Sequence, residues 1–147
     1  SLIKLREAGW LIRSLVPGGG TLLTQDAYLA VESGLKIQPG LEMGPFSYFP
    51  NLSGDKARAC RVVNREMMFE LLDKTDAKVA AFSDWGFAIS SPSITAVADA
   101  ERRMFIAKLE EKFDLCLEMP DFGHGATPLK IYIRKPEQKK DDGQAIR

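Results

Sequence analysis

"TLLTQDAYLAVESG", residues 21–34, decides the fold class. Four of its first five residues are apolar or β-branched, and the run stands between a glycine and an acid, which predicts a buried strand. Asp26 then occupies the position of a helix N-cap and Gly34 that of a stop, so "AYLAVES" between them predicts a short helix. A strand that passes straight into a helix is the first half of a parallel crossover. The chain needs a second strand to complete it, and "AKVAAFS", residues 77–83, is apolar enough to be buried on both faces.

Working outward, Leu2, Leu5, Gly9, Ile12 and Val16 recur at three or four residues with Lys4, Arg6, Glu7 and Arg13 opposite, which predicts a helix ended by Pro17 and Gly18 to Gly20. Downstream, Ser53 or Asp55 starts a long helix to about Lys74, striped by Cys60, Val63, Met67 and Leu71. Ser93 is the natural cap of a further helix over residues 94–113, with Val97, Phe105, Leu109 and Phe113 on its buried side. "DLCLEM", residues 114–119, reads as a third strand and "LKIYIRK", residues 129–135, as a fourth. The alternation of Leu129, Ile131 and Ile133 with Lys130, Tyr132 and Arg134 suggests an edge strand with one wet face. "PDFGHGATP" between them is short and favours an antiparallel pair.

The expected architecture is therefore α/β: a small Rossmann-like layered domain over residues 1–135, with a mostly parallel sheet of about four strands and an antiparallel edge hairpin. Residues 136–147 lack an apolar period and are expected to be a disordered tail. The stretch from Leu35 to Pro50 fits no regular element. It is too rich in Leu, Met, Phe and Tyr to be composed like a disordered segment, and long irregular loops of that kind usually carry function.

Composition narrows the function classes. With 20 basic and 20 acidic side chains the formal net charge is +0, so the basic excess that nucleic-acid binding requires is missing. No apolar run approaches the roughly 20 residues that span a bilayer, and no signal peptide is visible. The chain opens on Ser1 rather than methionine, as expected of a fragment cut from a longer protein. Cys60 and Cys116 lack metal-ligand spacing and are expected to be buried apolar side chains. One histidine and two unspaced cysteines argue against a zinc site, and no cofactor is expected.

Gly18, Gly19 and Gly20 precede the first strand, whereas a phosphate-binding glycine loop follows a strand and opens a helix; they read as a turn. His124 sits between glycines with no nucleophile beside it, and "DFG" at residues 121–123 lacks the other kinase motifs. No catalytic residue emerges. In an open parallel sheet, ligands bind beyond the carboxyl ends of the strands. Those ends, with the loop leaving the same edge, gather Gln25, Asp26, Tyr28, Glu42, Phe46, Tyr48, Asp84 and Trp85. Carboxylates beside aromatic faces suit a sugar held by hydrogen bonds and stacking. The same residues have structural uses: Asp26 as a cap, Asp84 as a turn brace, Trp85 as core.

"LREAGWLIRSLVPGGGTLLTQDAYLAVESGLKIQPGLEMGPFSYFP", residues 5–50, resembles a passage of large bacterial membrane glycosyltransferases of the protein-mannosyltransferase and aminoarabinose-transferase type. The likeness rests on Val16-Pro17-Gly18, on residues 20–24, 28–34, 39–48 and 77–87, and on a compatible terminal strand pair over residues 114–135. Bacterial members follow their transmembrane bundle with a soluble extracytoplasmic domain. The resemblance implies such a domain on the periplasmic face of the inner membrane, partnered by the transmembrane portion of the same polypeptide. Its implied task is to cover the membrane active site or to help hold the lipid-linked sugar or the acceptor. Family members transfer sugar from a polyprenyl-phosphate donor with acidic residues of a loop near the start of the membrane portion. No segment here matches that loop, so the implied role is non-catalytic. Two other readings stand beside it: a free-standing α/β nucleotide- or sugar-binding protein, and an interaction module that docks through Met43, Phe46, Tyr48 and Phe49.

Overall fold

The computed structural model describes residues 1–83, 97–123 and 126–137. In chain order these form α1 (Leu2–Leu15), β1 (Thr21–Thr24), α2 (Ala27–Ser33), β2 (Lys36–Ile37), a 3-10 turn (Gly44–Ser47), α3 (Gly54–Cys60), α4 (Arg65–Lys74), β3 (Val79–Ser83), α5 (Asp99–Glu110), β4 (Phe113–Met119) and β5 (Leu129–Arg134). The five strands make one open sheet in the order β2-β1-β3-β5-β4. β1 is parallel to both β2 and β3, and β5 runs antiparallel to β3 and β4. The fold is α/β, layered and roughly Rossmann-like.

Alternation along the strands builds two cores. Leu22, Val79, Ala81, Leu129 and Ile131 point to one face, where Ala8 and Ile12 of α1 and Leu29 and Ala30 of α2 cover them. Leu23, Ala80, Phe82, Phe113 and Tyr132 point to the other, under Met68 and Leu72 of α4 and Phe105 and Leu109 of α5. β3 is accordingly buried on both sides, as its unbroken apolar run implies. Where α1 crosses α2, a Cβ on Gly9 would stand 2.6 Å from Cβ of Glu32, so the closeness of the two helices depends on a residue without a side chain.

Several expectations need correction. The expected long helix is two: α3 ends at Arg61, whose φ of 56° is left-handed, and α4 starts afresh at Asn64. The Asn64 side chain accepts from the Met67 amide at 2.9 Å and donates to the Leu52 carbonyl at 3.0 Å, forming a helix start inside the expected helix. This break resets the helical phase, so Met68 and Leu72 are buried while Met67 and Leu71 are half-buried and Cys60 is exposed.

Cys116 is exposed as well, at an irregularity in the register of β4 between Leu115 and Leu117. The edge strand is β4, not β5. The polar set of β5 is not a wet face: Tyr132 is buried, Lys130 is half-buried, and the half-buried Arg134 donates from Nε to the Ala77 carbonyl at 2.8 Å and from its guanidinium to the Thr75 carbonyl. α5 starts at Asp99, with residues 97 and 98 non-helical, and Phe113 opens β4 instead of closing the helix. The expected cap Ser93, His124 and residues 138–147 of the tail lie outside the described residues.

Candidate functional site

β1 ends at Thr24, and its hydroxyl settles how the chain leaves the sheet. It donates to the Ala81 carbonyl on β3 at 2.7 Å and accepts the Asp26 amide at 3.0 Å. The two strand ends are thereby tied together and the chain turns into α2 within two residues. Asp26 caps that helix, its carboxylate accepting the Tyr28 amide at 3.0 Å. Burial raises the Asp26 carboxyl above its ordinary value, with hydrogen bonds from the Leu29 and Tyr28 amides pulling the other way.

Past α2 the chain returns along β2 and then passes back over the end of β1. Gly44 makes that crossing: its φ is 61°, and a Cβ there would lie 3.0 Å from the Gln25 carbonyl oxygen. The loop is pinned at its far end, where the Val63 amide donates to the Ser47 carbonyl at 2.8 Å and the Phe49 amide to the Val63 carbonyl at 2.9 Å. Leu41 and Tyr48 turn inward while Met43 and Phe46, 59% and 54% exposed, stay at the surface. The stretch that no regular period describes is thus a fixed wall.

Between this wall and the ends of β1 and β3 lies an open cleft of about 490 Å³. Its lining includes Thr24, Gln25, Asp26, Ala27, Tyr28, Glu42, Met43, Pro45, Phe46, Phe82 and Ser83. Five of the expected site residues therefore meet in one hollow: Gln25, Asp26, Tyr28, Glu42 and Phe46. Tyr48 is not among them. It is 5% exposed, packs edge-to-face on Phe105 at 5.4 Å and donates to Glu101. Asp84 and Trp85, which follow the lining residue Ser83, lie outside the described residues. Phe82 and Pro45 join the lining without a signal of their own, since a strand phenylalanine and a loop proline read as structure.

The chemistry of the lining is one-sided. Asp26 and Glu42 are its charged residues among those described, with no lysine, arginine or histidine beside them. Glu42 is held by the Gly40 amide, which donates to its carboxylate at 2.8 Å. Such a lining offers hydrogen-bond acceptors and the aromatic surfaces of Tyr28 and Phe46, but no cation for a phosphate. The amino end of α2, which could cradle a phosphate, is already occupied by the Asp26 carboxylate.

A second groove of about 580 Å³ runs between residues 39–42 and α3 and α4, edged by Arg58, Arg61 and Lys74. Those cations cluster at the carboxyl ends of the two helices, where they complement the helix dipoles, and Arg58 and Lys74 also pair with Asp55 at 2.7 Å and Glu70 at 2.6 Å. Among the described residues no group of three or more His, Cys, Asp or Glu side chains could hold a metal ion, and no helix is long and apolar enough to cross a membrane.

Fold and cleft define this chain as an α/β domain with a ligand-sized hollow at its strand ends. Comparison with family models, with curated proteins and with solved structures finds no match.

Proposed function

We propose that this chain is a non-catalytic extracytoplasmic domain of a polytopic glycosyltransferase using a polyprenyl-phosphate donor, and that its cleft holds the sugar portion of donor or acceptor. The family part of the reading draws on the resemblance of residues 5–50 described above. The ligand part draws on one observation: the cleft pairs the carboxylates of Asp26 and Glu42 with the rings of Tyr28 and Phe46 and has no basic side chain among its described lining residues. Carboxylate acceptors satisfy hydroxyl donors, and aromatic faces stack on the apolar face of a sugar ring.

A nucleotide-binding protein is the weaker reading. Its phosphates would meet two acids, and the amide that would bind them at α2 is taken by Asp26.

Amide-detected NMR titration tests the ligand class. Neutral glycosides are expected to shift the signals of Tyr28, Glu42 and Phe46 more than nucleotides or sugar phosphates do; preferential response to the phosphorylated ligands overturns it. The family part is tested by the encoding gene, which is expected to specify several apolar spans before Ser1. A reading frame that starts at Leu2 would sink it.

A further inference from the structure

The cleft does not stand alone. Asp26 and Tyr28 line both the cleft and a further hollow of about 570 Å³, bounded by Leu2 and Leu5 of α1 and by Phe122 and Gly123 after β4. On the loop side, Glu42 lines both the cleft and the groove beside α3 and α4. The hollow and the groove have no lining residue in common, so the cleft is the middle member of a series of three. A ligand that fills only the cleft uses one of three adjoining spaces.

Aromatic rings are spaced along part of this series. Phe46 stands in the cleft, Tyr28, 73% exposed, at the junction of cleft and hollow, and Phe122 in the hollow. Each ring is carried on pinned backbone: the Phe46 amide donates to the Met43 carbonyl at 3.2 Å, the Tyr28 amide to the Asp26 carboxylate, and the Phe122 amide to the Thr127 carbonyl at 3.0 Å. Phe122 also packs against the α1–α2 core, which leaves it half-buried. Successive rings of this kind offer stacking faces to successive sugar units.

The charges of the groove are balanced. Arg58 pairs with Asp55 and Lys74 with Glu70, while Arg61 and Glu42 bring one charge of each sign. Such a lining offers donors and acceptors with no net charge, which suits hydroxyl groups better than an anion or a cation. In the hollow, Asp26 is the one charged side chain among the described lining residues; Lys4, on the same helix as Leu2 and Leu5, donates to the Pro120 and Asp121 carbonyls. A polypeptide is a poorer fit: the cleft lies at the ends of β1 and β3 and not along a sheet edge, so a peptide finds no strand to extend.

We infer that the three spaces form one track for an acceptor glycan, with one sugar in the cleft and its chain neighbours in the hollow and the groove. This rests on the sugar reading of the cleft given above and adds that the ligand is a chain. A donor that carries a single sugar on its phosphate would use the cleft alone, so a chain-binding track belongs to the acceptor.

Amide-detected NMR titration of the full chain with mannose, mannotriose and mannohexaose, and with glucose, maltotriose and maltohexaose, tests it. The signals of Tyr28, Glu42 and Phe46 are expected to shift with every member of the series that binds, and those of Phe122 and Leu71 to join them only for the longer sugars. Affinity is expected to rise about tenfold from monosaccharide to trisaccharide as neighbouring units engage. Phe122→Leu keeps an apolar side chain against the core, and Arg61→Gly removes the guanidinium from the groove. Each is expected to weaken trisaccharide binding about threefold, and monosaccharide binding less, with melting curves keeping a folding defect apart from a binding defect. Shifts confined to the cleft, with an affinity independent of chain length, would overturn the track and leave the sugar reading intact. A stronger response of the same amides to an unbranched Gly-Ser peptide would overturn it in favour of a polypeptide. No response to any saccharide would overturn the sugar reading itself, and the track with it.

Discussion

The phenol of Tyr48 donates a 2.5 Å hydrogen bond to Oε1 of Glu101, and Nε of Arg65 reaches the same oxygen at 2.6 Å. Three segments meet there: the loop that walls the cleft, the first turn of α4 and the first turn of α5. Burial and the bond to Glu101 both push the Tyr48 phenol above its ordinary value, so it remains a donor at any working pH. Burial opposes ionisation of Glu101, yet the bonds from Arg65 and Tyr48 outweigh it and hold the carboxyl below its ordinary value.

Tyr48→Phe isolates one strand of this junction. The ring still fills its place against Phe105, and Glu101 keeps Arg65, so the loss is one hydrogen bond to a charged acceptor, about 1.5 kcal/mol. For a chain of this length that lowers Tm by roughly 3–6 °C. An unchanged melting temperature would mean that the bond adds nothing over water.

The crossing of α1 and α2 gives a prediction whose sign depends on magnitudes. Alanine in place of Gly9 gains about 1 kcal/mol of helix propensity. Its Cβ would stand 2.6 Å from Cβ and 2.8 Å from the backbone carbon of Glu32, and backbone cannot swing aside. Overpacking of this kind costs about 1–3 kcal/mol, so Gly9→Ala is expected to destabilise in spite of its better propensity. Denaturant titration should show a lower midpoint with an unchanged slope; a higher midpoint would show that the helices can separate freely.

Arg61 points the other way. It holds a left-handed conformation at the end of α3, with φ at 56°, which costs a side-chain-bearing residue about 1–2 kcal/mol. Glycine removes that strain but gives back roughly 0.5–1 kcal/mol in chain entropy. Arg61→Gly is therefore expected to stabilise by about 0.5–1 kcal/mol, read as a higher Tm. A lower Tm would mean that the arginine side chain contributes more than its backbone strain.

What was legible in the sequence follows the range of the interactions. Asp26 and Gly34 act on their own helix, and both ends of α2 can be read from residues 26–34. The buried strands β1 and β3 announce themselves by composition, and the rule for open sheets then locates the cleft with Gln25, Asp26, Tyr28, Glu42 and Phe46 around it. The direction of Tyr48 was not legible, because its partner Glu101 lies 53 residues further along and no local period marks the loop. The break between α3 and α4 hides in the same way: Asn64 looks like one more polar helix residue until its side chain is seen bonded to Leu52 and Met67. β5 misled by its alternation, since Arg134 spends its guanidinium on backbone carbonyls in the turn before β3.

Asp26→Asn tests how the cap and the cleft share one side chain. Asparagine caps a helix about as well as aspartate, so α2 should keep its start and the variant differs mainly in having no proton to exchange. In the parent, burial raises the folded carboxyl above its ordinary value of 3.8. Between those two values the folded state binds more protons than the unfolded state, so this group's contribution to stability is fully present below 3.8 and is lost as pH rises through the folded value. The difference in Tm, parent minus variant, is therefore expected to be largest in acid and to fall as pH rises into the weakly acidic range. Other carboxylates, Glu101 among them, act in the opposite sense and give the parent its own acid limb, but they are common to both proteins and cancel in the difference. A difference that stays flat across that range, or rises with pH, would mean that Asp26 is well solvated at the cleft edge or that its amide donors outweigh burial.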